Sequence, residues 1–494
     1  MERRKFVALV GGGVGSLVAA PLLLPQQVLA QQPATPAAAA PAAAASVKVA
    51  PLLAEFITRF DLKNAPPAVI ERSRVAFVDS IGVMLAGSHH PPTDLVVDMI
   101  KAEGSTPTAT IVGRSERASV QLAALANGVS VHSLDFDLTY GQGQAIASVI
   151  PVILALGEAR RLSPSDMLAA FIVGAEVAGR MTRAAPTMSR LGGWHTTSTV
   201  GTIAAAATAA RLLKTPAAAI PDIMGIAASL ASGVTANFGT MTKPLHAGQA
   251  ARNGILAVQL GAAGFTSNPV ALEGRDGFLE NFARGLERTT APFSDLGKTY
   301  DFENPGYSIK PYPSGGLGHT AVDAALELKS LVNVANIAAI DVSITRYAAR
   351  RYTAQYPQNP EAAKFSGPYL AAYTLIHGAP MLSAFTEAAL KDEKVRALAS
   401  KVTMATYLEH ADVLDASPAK VVITLADGSK VERSKYYPSG SRQVPMTRAQ
   451  IEEKFMVCAT TALKPDAASK LLVILGQLGE QSSSDALWPL LKPA

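Results

Sequence analysis

Cysteine is nearly absent: the 494 residues include one, Cys458. A lone thiol closes no internal disulfide and cannot hold an iron–sulfur cluster, which needs several thiolates. Set in a helical pattern near the end of the chain, it reads as a small buried apolar residue. Charge is sparse too, at 17% of residues with a formal net charge of +5 and no basic stripe, which argues against a nucleic-acid partner. The eight histidines are scattered, and no pair has a standard helical ligand spacing. No metal site is therefore expected, and His89-His90 before Pro91-Pro92 reads as a surface turn. Past the first 30 residues no apolar run is long enough to span a bilayer.

What is present is apolar and small. Hydrophobic residues make up 49% of the chain, which is long enough for two or three domains with ample core. The high Ala and Gly content suits closely packed helices. At the N-terminus, Arg3-Arg4-Lys5 leads into a mildly apolar run from Ala8 to Leu24 and the small-residue end Val28-Leu29-Ala30. This pattern predicts an export signal of the twin-arginine type over 1–30, and hence a periplasmic protein. The glycines of Val10–Ser16 could instead open a dinucleotide loop, but such a loop should continue into a βαβ unit. Here the chain runs into the low-complexity stretch 31–47, read as an Ala/Pro-rich linker.

From Val49 to about Ala263 the pattern is helix after helix. Ser163-Pro164-Ser165-Asp166 is a helix start with a capping Ser, a first-turn Pro and an acid near the positive helix end. Near Asp301 the chain becomes loop-rich, and a helix follows from His319 to Leu331. Strand signals come next, at Ile337–Tyr347 and in a hairpin of 420–425 with 430–433 across Ala426-Asp427-Gly428. Helical pattern returns from Thr447. The expected fold is mostly α, with a large all-α domain (48–304 and 441–494) completed by the C-terminal helices, plus a smaller α+β lid domain (305–440).

Four stretches could carry chemistry. Asn127–Pro151 is a polar island between apolar flanks, holding His132, Asp135, Asp137, Thr139, Tyr140 and Gln144. Polar groups so placed must be satisfied by each other, by water or by a ligand. Gly192–Thr199 sets His195 at a glycine turn before an Ala-rich helix, where it could exchange a proton with an anion at the helix end or simply cap the helix. Lys243 sits at the Pro-marked start of another helix, after a charge-free stretch from Ala231 to Met241, and so reads as facing inward. Ser308–Pro313, with Lys310, and then His319 fall at the domain junction, where clefts commonly form. Two lysines, a His and an Asp with a neighbouring Thr describe a cofactor-free pocket for a carboxylic acid.

The segments LANGVSVHSLDFDLT (125–139), GGWHTTSTVGTIAAAATAARLL (192–213), MTKPLHAGQAARNGILAVQLGAAGFTS (241–267), LEGRDGF (272–278), KPYPSGGLGHTAVDAA (310–325) and AAKFSGPY (362–369) resemble the MmgE/PrpD family, as does FVDSIGVMLAGS at 77–88. The resemblance runs in order from about Leu53 to Leu478. It implies a dehydratase, decarboxylase or epimerase of small carboxylic acids, a homodimer, and an active site between the two domains without metal or organic cofactor. Carried over position by position, Asp135, Thr139, His195 and Lys243 become the expected catalytic residues. Lys310, Gln144, Tyr352 and His319 become the expected substrate-binding ones, with Tyr347 behind Tyr352. The chain departs from the family pattern in three places. Tyr140 and Gln144 stand where relatives keep histidines, and Gly315 stands where the decarboxylase branch has one. A Gln amide can orient an oxygen but cannot shuttle a proton, so proton transfer falls to His195 and Asp135. The expected activity is a cofactor-independent lyase on a small di- or tricarboxylate. An epimerase or isomerase, or a carboxylate-binding protein without turnover, are the alternatives.

Overall fold

Three helices of the core pack backbone to backbone because their contact faces carry glycine and alanine. A Cβ on Gly128 of the Val120–Ser133 helix would lie 2.5 Å from Cα of Gly248 in the Thr242–Ala262 helix. One on Gly248 would lie 2.3 Å from the carbonyl oxygen of Leu125. Gly254 meets Ala205 of the Thr196–Leu212 helix in the same way. These close crossings bring the end of one helix, with His132, beside the start of the other, with Lys243. The computed structural model describes residues 47–413 and 416–493. The expected export signal and all but the last residue of the expected linker lie outside the described residues. Among the described residues, no helix is long and apolar enough to cross a membrane.

The chain is mostly helical, as expected. Ser163 caps the Pro164–Ala184 helix by accepting from the Asp166 backbone N–H, and Thr447 with Gln450 forms a capping box before Arg448–Ala459. The latter helix packs on Pro67–Gly87, where the buried Asp79 carboxylate meets the Lys454 ammonium at 2.6 Å. Cys458 is buried, and burial pushes its thiol up to about 12. Buried apolar side chains form two main clusters, one drawn from 49–309 and 451–491 and the other from 312–423.

The second cluster covers a four-stranded sheet in the order Val402–Thr406, Ile337–Ile344, Ala419–Leu425, Lys430–Lys435. The hairpin 419–435 matches the sequence reading. The parallel edge strand Val402–Thr406 and the Gly367–His377 helix do not appear in that reading. The strand expected to reach Tyr347 stops at Ile344, because Thr345 accepts from the Ala348 N–H and starts a short helix, Arg346–Ala349. His90 is also not a surface residue: it is half-buried, with Nδ1 3.4 Å from Glu361. A two-stranded ribbon matters most for the site. It pairs Thr139 with Ser308 and Tyr140 with Tyr307, and so carries Lys310 to the polar island.

Candidate active site

The Val120–Ser133 helix ends at Leu134, and Asp135 then adopts φ +50°, a left-handed conformation that Asp tolerates better than most residues. Three ammoniums from distant stretches grip the carbonyls of this turn. Lys364 donates to Ser133 at 2.6 Å, Lys310 to Asp135 at 2.9 Å and Lys454 to Phe136 at 2.8 Å. The turn thereby holds the Asp135 side chain in place. Its Oδ1 accepts from Lys310 at 2.5 Å and the Gln144 amide at 2.8 Å, and forms an ion pair with Lys243 at 3.0 Å. Burial alone would raise this carboxyl, but the ammoniums of Lys243 and Lys310 outweigh it and hold Asp135 well below the usual range. Burial lowers Lys310, with Asp135 opposing.

The two lysines differ in what they have left to offer. Lys310 reaches the Asp135 carbonyl, the Asp135 carboxylate and the Ser314 carbonyl at 3.2 Å, so three acceptors take up its three donors. Lys243 reaches Asp135 and, at 3.1 Å, Nε2 of His132. One of its donors stays available to the cavity. Because an ammonium only donates, His132 accepts at Nε2 and carries its proton on Nδ1, which lies 3.1 Å from both Asp137 oxygens. Burial, then Lys243, lowers His132 and keeps it neutral. His132, Asp135 and Asp137 form a group among the described residues whose donor atoms, all within 4.8 Å, could hold a metal ion. The Lys243 ammonium already bridges His132 and Asp135.

His195 occupies the N-cap position of Thr196–Leu212 but makes no side-chain capping bond, so the capping alternative does not apply. Its Nδ1 lies 2.9 Å from Nδ1 of His246, and its buried Nε2 has no protein partner. The ring lies flat against His132 at 5.4 Å and takes the edge of Phe238 at 4.9 Å. Burial, then the Lys243 charge, lowers His195 well below the ordinary imidazole range.

A cavity of about 420 Å³ opens onto these groups, within the range usual for small-molecule sites. All eight expected residues line it: Asp135, Thr139, Gln144, His195, Lys243, Lys310, His319 and Tyr352. Their polar atoms are not equally free. Tyr352 donates its hydroxyl to the Gly315 carbonyl, and His319 donates Nε2–H to the Ser314 carbonyl at 3.2 Å. Burial takes His319 down to about 3. Tyr140, by contrast, lines the cavity with a buried hydroxyl that has no protein partner. At Gly315 an added Cβ would lie 2.9 Å from both the Phe365 ring and the Tyr352 hydroxyl, so those two side chains occupy the space.

The sequence reading assigned no role to His246, Phe238 or Arg351. His246 follows Lys243 by three positions on one helix face, which is a usable signal. Arg351 lies against Phe238 at 5.6 Å and Tyr347 at 5.3 Å on the cavity wall, a contact that only the tertiary fold creates. Residues 52–290 match the MmgE/PrpD N-terminal domain and residues 312–479 the MmgE/PrpD C-terminal domain. The chain belongs to the MmgE/PrpD family. Among its relatives is the cis-aconitate decarboxylase of Homo sapiens, 30% identical over 441 residues, covering 86% of this chain and 90% of that protein. The cis-aconitate decarboxylase of Mus musculus is 29% identical over 455 residues, covering 89% and 92%. That of Aspergillus terreus is 26% identical over 428 residues, covering 80% and 86%. In this member of the MmgE/PrpD family, Gln144, Tyr140 and Gly315 all line the cavity.

Proposed function

We propose that the cavity carries out a cofactor-independent decarboxylation or dehydration of a small di- or tricarboxylic acid, with cis-aconitate the first compound to test. The chain is a lyase by its family membership. The proposal concerns the reaction and the residues within that class. The observation that carries it is the pairing of Lys243, with one ammonium donor left for a carboxylate, and His195, with an unpartnered ring nitrogen, in one buried cavity. In this reading Lys243 holds a substrate carboxylate and stabilises the enediolate that forms, and His195 Nε2 exchanges the carbon-bound proton. Asp135, with its charge fixed by two ammoniums, is a poor base and serves to anchor Lys243 and Lys310. Thr139, Gln144 and Tyr140 contribute polar surface for orienting the substrate.

Proton NMR of the protein mixed with cis-aconitate tests this directly. Consumption of the acid should fall by about 100-fold or more in His195→Ala. Failure to consume cis-aconitate, or any of a panel of small di- and tricarboxylates, would sink the reading. A second reading, an epimerase or isomerase, is favoured by the filled space at Gly315 and the amide at Gln144, since moving a single proton needs fewer acid–base groups. Deuterium uptake at carbon from D2O, with no loss of carbon dioxide or water, would select it. Export through a twin-arginine signal to the periplasm and assembly as a homodimer belong to the same proposal.

A further inference from the structure

The nitrogen of His195 that faces the cavity cannot be described without His246. The two Nδ1 atoms lie 2.9 Å apart, a distance that requires one to carry a proton and the other to accept it. If the proton sits on His195 Nδ1, then Nε2 presents a lone pair to the cavity and acts as a base. If it sits on His246 Nδ1, then His195 Nε2 carries hydrogen and acts as an acid. The rings differ in access to water: His195 is 2% exposed, and His246 is 8% exposed. The wall around His195 is aromatic, with His132 on one face and Phe238 at its edge. Both imidazoles stay neutral at pH 7, since burial comes first among the causes lowering each and takes His246 down to about 4.

From this geometry we propose that His246 is a positioning residue and proton relay for His195, connecting the floor of the cavity to solvent. The inference takes its substrate from the lyase reading above but not its geometry. In the outward direction, His195 Nε2 takes the carbon-bound proton while its Nδ1 proton passes to His246 Nδ1. His246 then releases its Nε2 proton to water. One proton has moved from carbon to solvent, both rings remain neutral, and both tautomers are inverted. Run in reverse, the same steps deliver a solvent proton to the carbanion left by loss of carbon dioxide. A two-ring relay of this kind lets one cavity-facing nitrogen serve as base and as acid in turn. It fits a site in which Gln144 cannot move protons.

The test uses the full chain labelled with 15N-histidine, and cis-aconitate as the probe. Long-range 1H–15N spectra at pH 7 should show one proton shared by the two Nδ1 atoms, lost in both His195→Gln and His246→Phe. In His246→Phe, kcat should fall about 100-fold with KM changed less than twofold. His246→Asn supplies an amide that can accept from His195 Nδ1–H or donate to its lone pair but cannot pass a proton on. It should therefore hold the His195 ring in place and still turn over slowly. A His246→Asn protein with kcat within twofold of the unsubstituted protein would overturn the relay. Two Nδ1 atoms that share no proton would overturn it as well. If neither cis-aconitate nor any acid of the panel is consumed, the proposed reaction fails, while the spectra still decide whether the pair shares its proton.

Discussion

Two ammoniums and an amide converge on one carboxylate oxygen of Asp135, and this concentration of positive charge separates residues that hold charge from residues that can move a proton. Lys310, with all three donors engaged by protein, belongs to the first kind, and Lys243 bridges the two. The pair should therefore respond differently to the same change. Lys243→Met should raise KM for the substrate strongly, because it removes the donor left to the cavity. Lys310→Met should mainly lower kcat and stability by releasing Asp135, and steady-state kinetics alongside urea denaturation would separate the two. Removing one member of a buried ion pair typically costs about 3–5 kcal/mol, so Lys310→Met should be visibly destabilised. Equal KM effects in both variants would contradict the division of roles.

At the level of helices, the site depends on glycines that lie far from any chemistry. Gly248→Ala would drive a methyl group into the Leu125 carbonyl and push the Val120–Ser133 and Thr242–Ala262 helices apart. The expected cost is about 1–3 kcal/mol by thermal or chemical denaturation. A fall in kcat should accompany it, since Lys243 and His132 ride on the separated helices. Much of this was legible in the sequence: the helix starts at Ser163 and Thr447, the 419–435 hairpin, and the eight cavity residues all follow from local pattern or family motif. What escaped depends on distant partners. Nothing near Val402 announces a strand that pairs in parallel with 340–344, because its partner lies some sixty positions away. The Lys243 motif shows that a cation is present but not that it pairs with Asp135 and donates to His132. His246 was visible as a helical neighbour of Lys243, yet its bond to His195 spans 51 positions.

For the molecule as a whole, buried histidines set its response to acid. His90 and His319 are lowered to about 3 and His246 to about 4, by burial first, and His132 and His195 are lowered too. These rings are neutral in the fold, whereas in the unfolded chain they take up protons near pH 6.5. Their contribution is thus complete above about pH 6.5 and is lost progressively as pH falls below it. Denaturation midpoints measured between pH 7 and pH 5 should fall steeply, and His319→Gln should flatten that fall. Replacing Arg3 and Arg4 by Lys should leave the protein in the cytoplasm, as cell fractionation would show. Unchanged export would count against the twin-arginine route.

The turn at 133–136 receives its three ammoniums from positions 310, 364 and 454, all far downstream of the helix they fasten. A chain cut before Lys454 can make the helix that leads into Asp135 but loses the bond to the Phe136 carbonyl, next to the carboxylate that anchors Lys243. Activity should therefore report on whether the segment that carries Lys454 has folded onto this turn.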